Sequence, residues 1–291
     1  MTAPVIPQRP PWLKARVPSG PNYRELVAIL RTQRLHTVCE EARCPNIGDC
    51  WERRTATFLI LGNVCTRNCS YCAIAHGLPT EVDWREPERV ASAVAALGLR
   101  HVVVTSVDRD DLRDGGAGVF AETIRCIRRR KPDCSVEVLI PDFKGDPEAL
   151  RAVLDAGPDI LNHNIETVRS VFKRVRSGGS YDRSLELLAR VKRWGYPCLT
   201  KSGLMVGLGE TFPEVVQTLH DLRSVGCDIV TVGQYLSPGP GYEPVHRYWH
   251  PDEFAEIKRV ALDMGFRHVE SGPLVRSSYH ADEQVQRAVV R

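Results

Sequence analysis

The sequence predicts an α/β protein built on a partial (β/α)6 barrel of the TIM type, with N- and C-terminal extensions. Between about residues 56 and 235, strand-like segments alternate with helix-like segments, the pattern of parallel β/α units. Six such units, all right-handed, form most of a barrel. The length of 291 residues fits a single α/β barrel, although two ordinary domains would also fit.

Each predicted unit has its own strand and helix. The strands are Ala56–Leu61, His101–Ser106, Ser135–Ile140, Asp159–Asn164, Cys198–Met205 and Asp228–Gly233. The helices are Pro87–Leu97, Val119–Arg130, Pro147–Asp155, Val168–Arg174, Asp182–Trp194 and Phe212–Val225. A short helical pattern near Tyr23–Arg31 precedes the barrel, and the end of the chain adds a helix and an irregular segment rich in Ser, Tyr and His. We therefore expect an N-terminal extension over residues 1–55, a barrel over 56–250 and a C-terminal extension over 251–291.

Composition and charge exclude several functional classes. The chain is 43% hydrophobic and 26% charged, which is ordinary for a globular protein and unlike a disordered or fibrous one. Its net charge of +3 is too small to indicate nucleic-acid binding by itself. No apolar run approaches the roughly 18 residues of a membrane span, and residues 1–16 contain prolines but no signal-peptide core. We expect a cytoplasmic protein.

The ten cysteines carry the clearest chemical signal. Without an export signal they should be reduced thiols, which favours metal or redox chemistry over a disulfide framework. Six of them fall between Cys39 and Cys72. We interpret the other four as small buried hydrophobic residues: Cys126, Cys134, Cys198 and Cys227.

The group Cys65-x3-Cys69-x2-Cys72 follows the first predicted strand directly. Three thiolates on one short loop can hold three irons of a 4Fe–4S cluster. The fourth iron then has no protein ligand and can chelate a small molecule, which favours a catalytic cluster over an electron carrier. Zinc is the competing interpretation, but structural zinc sites usually have four ligands in paired C-x2-C hooks.

A second group, Cys39-x4-Cys44-x5-Cys50, lies just upstream. Its spacing fits neither zinc hooks nor the common ferredoxin runs. We interpret it as a second cluster that also lacks a fourth cysteine. The alternative is a zinc site that His36 completes.

These motifs resemble those of a known family. The segment CTRNCSYC at residues 65–72 resembles the signature of the radical S-adenosylmethionine (SAM) superfamily, with Tyr71 in the aromatic position before the third cysteine. The segment CEEARCPNIGDCW at residues 39–51 resembles the auxiliary-cluster motif of the lipoyl synthase family. Similar resemblances, between residues 12 and 281, lie at Trp12–Lys14, Thr55–Gly62, Thr200–Glu210 and Arg276–His280.

The resemblance implies a sulfurtransferase that inserts two sulfur atoms at C6 and C8 of a protein-bound octanoyl-lysine, which forms the lipoyl cofactor. The implied cofactors are SAM and two 4Fe–4S clusters, one of which donates the sulfur. The implied partners are octanoylated carrier domains (2-oxoacid dehydrogenase E2 subunits and the glycine cleavage H protein) and a reductant such as ferredoxin or flavodoxin. We expect a monomer that binds neither nucleic acid nor membrane. The alternatives are another radical SAM enzyme with an auxiliary cluster, of the methylthio-transferase or peptide-modifying type, and a zinc-bound, non-catalytic binding module.

Polar residues at the ends of the predicted strands are candidates for SAM contacts. Thr105 and Asp108 end the second strand, at the place that contacts the SAM amino group in radical SAM proteins. Asn164 and Glu166 end the fourth strand and, with Asn162, would share one face if the chain stays extended. Polar side chains inside a barrel mouth favour ligand binding over a solvated loop. Lys201 on the fifth strand could meet a carboxylate or be an ordinary surface lysine.

The resemblance also implies a ligand from the C-terminal segment Arg276-Ser-Ser-Tyr. A serine pair in an irregular segment can simply form a turn. In this family, however, one hydroxyl would complete the auxiliary cluster, and we select Ser278 over Ser277. The predicted metal ligands are then Cys65, Cys69 and Cys72 for one cluster, and Cys39, Cys44, Cys50 and Ser278 for the other.

Overall fold

A computed structural model describes residues 9–15, 17–279 and 281 of the chain. Its strands are β1 His36–Thr37, β2 Thr57–Ile60, β3 Val64–Cys65, β4 Ala75–His76, β5 His101–Ser106, β6 Ser135–Leu139, β7 Ile160–Asn162, β8 Leu199–Val206, β9 Ile229–Gln234 and β10 His268–Gly272. Its helices are α1 Pro21–Thr32, α2 Val38–Glu41, α3 Ile47–Glu52, α4 Glu86–Ala96, α5 Ala117–Arg130, α6 Pro147–Asp155, α7 Arg169–Val175, α8 Tyr181–Arg193, α9 Phe212–Ser224 and α10 Pro251–Asp263. A 3-10 turn covers Phe143–Gly145.

Eight strands form one sheet in the order β1-β2-β5-β6-β7-β8-β9-β10. The short β1 is antiparallel to β2, and every other neighbouring pair is parallel. In the described residues the order begins at β1 and ends at β10, so the sheet is an open, partial barrel. This confirms the predicted fold class. The carboxyl ends of the parallel strands meet at one rim, which is where β/α barrels carry their active sites.

Buried apolar strands and capped amphipathic helices explain these elements. In β5 the run Val102–Val104 is buried, as expected for a parallel strand covered on both faces. Helix α6 begins at Pro147 after Asp146, whose side chain accepts the Glu148 N–H and satisfies a free helix donor. Helix α9 begins with a capping box between Thr211 and Glu214.

The six predicted barrel strands and their helices are all present, with ends shifted by at most two residues. Strand β10, which pairs in parallel with β9, was not predicted. Its segment, HVESG, contains three polar residues and a glycine, so its strand character depends on that pairing. The sheet therefore continues past residue 250, where the sequence suggested that the barrel ends.

The interior is apolar at the amino end of the barrel strands and polar above it. Ile160, Leu199 and Ile229 pack together at the first positions of β7, β8 and β9. The four scattered cysteines are buried, as predicted, at 7% exposure or less: Cys126, Cys134, Cys198 and Cys227. Among the helices formed by the described residues, none has the length and apolar character needed to cross a membrane.

Candidate active site

The first cysteine triad lies on a short loop beside the carboxyl end of β2. Cys65 is in β3, which pairs with β4 and so closes residues 65–76 into a compact unit, the cluster loop. Inside this loop the Cys72 N–H donates to the Cys69 carbonyl at 3.0 Å, and the Gly77 N–H donates to the Cys65 carbonyl at 2.9 Å. The backbone of the loop is therefore fixed by its own hydrogen bonds, independently of any bound group.

Hydrogen bonds fasten the cluster loop to three other segments of the barrel rim. The Thr66 N–H and hydroxyl both donate to the Asp108 carbonyl beyond β5, at 3.0 and 2.9 Å. The Ser70 N–H donates to the Val175 carbonyl at the end of α7, at 3.0 Å. The Ser70 carbonyl accepts the Glu243 N–H at 2.8 Å. The three thiols thus have a fixed place over the mouth of the barrel.

Charged residues of the rim surround these thiols. Burial raises the pKa of Cys69 to about 11, the guanidinium of Arg176 opposes this shift, and the carboxylates of Asp108 and Glu166 add to it. Burial likewise raises the pKa of Glu166, again opposed by Arg176. Arg176 was not among the predicted site residues, because nothing in its local sequence shows that its charge turns inward. The structure brings Arg176 together with the carboxylates of Asp108 and Glu166 beside the cluster loop.

The backbone that follows β7 has an uncommon conformation at Glu166, beside this site. Glu166 has a φ of 68°, a left-handed conformation that is uncommon for a residue with a side chain. Its N–H donates to the Gly203 carbonyl at 3.0 Å, and its carbonyl accepts the Met205 N–H at 2.7 Å. A Cβ at Gly203 would stand 2.9 Å from Asn164 Oδ1, so glycine in β8 makes room for that amide. Asn164 Oδ1 is buried and has no hydrogen-bond partner among the described residues, so it is available to a ligand.

Of the predicted SAM contacts, Asp108, Asn164 and Glu166 lie at the rim. Thr105 turns toward the neighbouring strand, where its hydroxyl donates to the Leu139 carbonyl at 2.8 Å. Its predicted contact with SAM stays a prediction.

Lys201 lies deeper in the barrel. Its Nζ is 2.9 and 3.0 Å from the two carboxylate oxygens of Glu137, and both side chains are fully buried. Asn162 joins them by donating from Nδ2 to Glu137 Oε1 at 2.9 Å. Burial lowers the pKa of Lys201, and Glu137 opposes that shift by favouring the ammonium form. The ammonium is therefore already paired, and its contact with SAM also stays a prediction.

The second triad, Cys39, Cys44 and Cys50, lines a small cavity. Burial raises the pKa of Cys39 to about 11, and the neighbouring Cys44 adds to the shift. The pKa of Cys50 is raised by burial and then by Cys39 and Cys44. Three thiols that share one small cavity resist ionisation by themselves, so they fit a cationic metal group that stabilises their thiolates.

The C-terminal residues 274–279, here called the closing segment, cover this cavity. Asn46 Nδ2 donates to the Leu274 carbonyl at 2.6 Å, across 228 positions of sequence. Ser278 lines the cavity together with Arg276 and Tyr279. Arg276 also favours the thiolate of Cys44, whose pKa burial raises. A hydroxyl from the far end of the chain thus lies at the cavity of the three thiols.

In the described residues neither triad is grouped as the ligands of a single zinc ion would be. Among the residues that the structure describes, no three His, Cys, Asp or Glu side chains are grouped to hold one metal ion. A zinc ion needs all its ligands within about 2.0–2.3 Å of a single centre. In a 4Fe–4S cube each thiolate binds a different iron, so the sulfur atoms stand further apart.

Comparisons with known proteins agree with this chemistry. A sequence profile of the radical SAM superfamily matches residues 59–222, and a profile of the N-terminal domain of lipoyl synthase of the radical SAM family matches residues 6–44. A lipoyl synthase from Rubrobacter xylanophilus is 61% identical over 280 residues, which cover 96% of this chain and 87% of that protein. One from Oceanobacillus iheyensis is 59% identical over 285 residues, 98% of this chain and 91% of that protein.

The chain belongs to the lipoyl synthase family. A lipoyl synthase is a radical SAM enzyme that uses SAM and two 4Fe–4S clusters, and this chain has the thiols for both. Solved structures share only its fold. Methylornithine synthase superposes with a TM-score of 0.55 at 14% identity, covering 80% of this chain and 81% of that one. Streptococcus suis SuiB bound to its precursor peptide superposes with a TM-score of 0.58 at 11% identity, covering 86% of this chain and 53% of that one.

Proposed function

We propose that this chain inserts sulfur at C6 and C8 of an octanoyl chain carried on a lysine of a carrier protein. The observation that carries the proposal is the pair of separate thiol triads, one on the cluster loop at the barrel rim and one beneath the closing segment. Because the two triads lie in different surroundings, the clusters they hold can have different tasks. One cluster would bind SAM, and the other would supply sulfur.

The ligands divide accordingly. Cys65, Cys69 and Cys72 would hold the cluster that binds SAM. The auxiliary cluster would be held by Cys39, Cys44, Cys50 and Ser278. When bound, these cofactors supply the electron, radical and sulfur chemistry that no protein acid or base can perform on an unactivated carbon.

The chain itself recognises the charged end of SAM. Asp108 and Glu166 offer carboxylates for its ammonium group, and Arg176 offers a guanidinium for its carboxylate. The Asn164 amide oxygen is an additional acceptor. Opposite charges fixed in a buried site orient the ligand at little reorganisation cost.

The fold also shelters the reaction from water. Ile160, Leu199 and Ile229 pack together at the amino end of the barrel strands, and the cluster loop lies over the mouth at the other end. Excluding water protects a reactive intermediate from side reactions. In this proposal residues 1–55 supply the auxiliary thiols, 56–250 form the body of the barrel, and 251–291 supply its last strand and the closing segment.

The partners follow from the substrate. The chain acts on octanoylated carrier proteins, and we propose 2-oxoacid dehydrogenase E2 subunits and the glycine cleavage H protein as those carriers. A ferredoxin or flavodoxin would deliver the electron. We further propose a cytoplasmic monomer whose contact with each carrier is small and transient, because each carrier must leave after modification.

An anaerobic reaction with SAM and a reductant tests the proposal. Three substrates are compared by mass spectrometry: an octanoylated carrier domain, an octanoyl-lysyl peptide and free octanoate. We expect both lysine-linked substrates to gain two sulfur atoms, with the carrier domain faster and its advantage shrinking as salt screens the contact. Equal turnover of free octanoate would overturn the carrier-bound substrate.

A further inference from the structure

Arg67 lies between the first two cysteines of the cluster loop, yet its side chain turns away from solvent and is 4% exposed. Its guanidinium contacts three carboxylates. Nη1 is 3.3 Å from Asp108 Oδ1, and Nη2 is 2.7 Å from Asp142 Oδ1. Nε and Nη2 bind the two oxygens of Asp110 at 2.8 and 2.9 Å. All three nitrogens of the guanidinium are therefore used.

The three carboxylates come from two loops of the rim. Asp108 and Asp110 follow β5, and Asp142 follows β6. Asp142 is fully buried and is also bound by Arg183 at 2.9 Å. Pairing with Arg67 keeps the pKa of Asp142 low against the effect of its burial. Arg67 thus joins the cluster loop to the two loops beside it through buried, charge-assisted contacts.

The two oxygens of the Asp108 carboxylate face different groups. One carboxylate oxygen, Oδ1, faces Arg67, and the other, Oδ2, lies 3.9 Å from Cys65 Sγ. The backbone N–H of Arg67 also donates to the same Sγ at 3.4 Å. A single residue therefore fixes both Cys65 and the carboxylate next to it.

We propose that Arg67 is a positioning residue that holds the Asp108 carboxylate beside Cys65, in the orientation needed to receive the SAM ammonium. The inference deepens the proposed function and depends on it for the identity of the ligand. A planar guanidinium is required because only a fork can bind Asp110 with two nitrogens while its remaining nitrogen faces Asp108. A lysine keeps the charge but is a point donor on a flexible stem, so it leaves Asp108 free to turn.

The test compares Arg67→Lys with wild type and with Arg128→Gln. Arg128 is a control, because it also makes several contacts, to the carbonyls of Cys134 and Gly157 and to Asp159, but it lies in the last turn of α5 at the other end of the barrel. Each protein is reconstituted anaerobically, and iron per chain, thermal midpoint and SAM affinity by equilibrium dialysis are measured. The change that SAM causes in the electron paramagnetic resonance spectrum of the reduced cluster is a second readout.

We expect Arg67→Lys to retain its iron but to bind SAM about 10-fold more weakly, the effect of one lost charge-assisted hydrogen bond. The spectral change on adding SAM should shrink in this variant and remain in Arg128→Gln. Wild-type SAM affinity per assembled cluster in Arg67→Lys would overturn the proposal and leave Arg67 a structural brace only.

A milder variant covers the case in which Arg67→Lys does not assemble its cluster. Asp110→Asn weakens the ion pair between residue 110 and the Arg67 guanidinium, and it changes a side chain that is 27% exposed. This variant should also bind SAM more weakly. Unchanged affinity there would contradict the proposal as well. If wild-type protein itself fails to bind SAM, the proposed function falls and the positioning role falls with it, so the two failures are distinguishable.

Discussion

Replacing Gly233 by alanine should separate the two tasks of the enzyme without touching a ligand. Gly233 is in β9, directly under the closing segment, and a Cβ there would stand 2.0 Å from the Val275 carbonyl oxygen. Real Cβ contacts essentially never fall below 3.0 Å, so the segment must move by about 1 Å, the difference between the two distances. The obstacle is backbone and not a flexible side-chain end, so it cannot rotate away.

The displacement reaches the auxiliary cavity because Val275 directly precedes Arg276 and lies three positions before Ser278, and both of these line the cavity. A misplacement of about 1 Å can cost about 100-fold in rate. We expect Gly233→Ala to lose about 100-fold in lipoyl product. SAM cleavage should stay near the wild-type rate, since the cluster loop is fastened to other segments.

The assay measures lipoyl product by mass spectrometry and SAM cleavage by chromatography on the same anaerobic sample. Gly118→Ala in α5 is the control for the chemical change, since its nearest neighbour, Asp114 Oδ2, would be 3.1 Å from the new Cβ. Thermal midpoints establish that both variants fold. Wild-type sulfur insertion in a folded Gly233→Ala protein would refute the role given to the closing segment.

Three further predictions concern side chains. His163 is buried with its pKa lowered to about 3, so the unfolded chain takes up a proton first as pH falls. Between pH 7 and pH 5 the free energy of unfolding should therefore drop by about 2 kcal/mol more than in His163→Gln, measured by urea denaturation. Lys201→Met removes the ammonium that pairs with the buried Glu137 carboxylate and should lower the free energy of unfolding by about 3–5 kcal/mol, whereas adding Glu137→Leu should restore most of that loss. Ser278→Ala should cleave SAM but lose most lipoyl product, and if Ser277→Ala has that effect instead, the ligand is Ser277.

The sequence predicted most of the barrel because its signals are local. Helix Pro147–Asp155 and strand His101–Ser106 have the predicted bounds, since a helix cap and a run of valines are visible in a few residues. Strand β10 was missed because HVESG becomes a strand only through its pairing with β9.

The candidate site was harder to predict where its contacts are distant in sequence. The two cysteine motifs are short and could be read directly. Arg67 and Asp142 are 75 positions apart, and nothing local to either residue indicates the other. For Lys201, the sequence left open a contact with a carboxylate or a place on the surface, and it did not identify Glu137 as the partner. Charged pairs inside a fold follow from topology, which short patterns do not contain.

The central claim is that each cysteine triad holds a cluster with a task of its own. The most direct test compares two variants in which one triad at a time is replaced. One replaces Cys65, Cys69 and Cys72 by alanine, and the other replaces Cys39, Cys44 and Cys50. Both are reconstituted anaerobically and assayed for iron, SAM cleavage and lipoyl product. The division of tasks between the triads predicts one remaining cluster in each variant, no SAM cleavage in the first, and measurable SAM cleavage without sulfur insertion in the second. Loss of SAM cleavage in both variants, with one intact cluster in each, would contradict it.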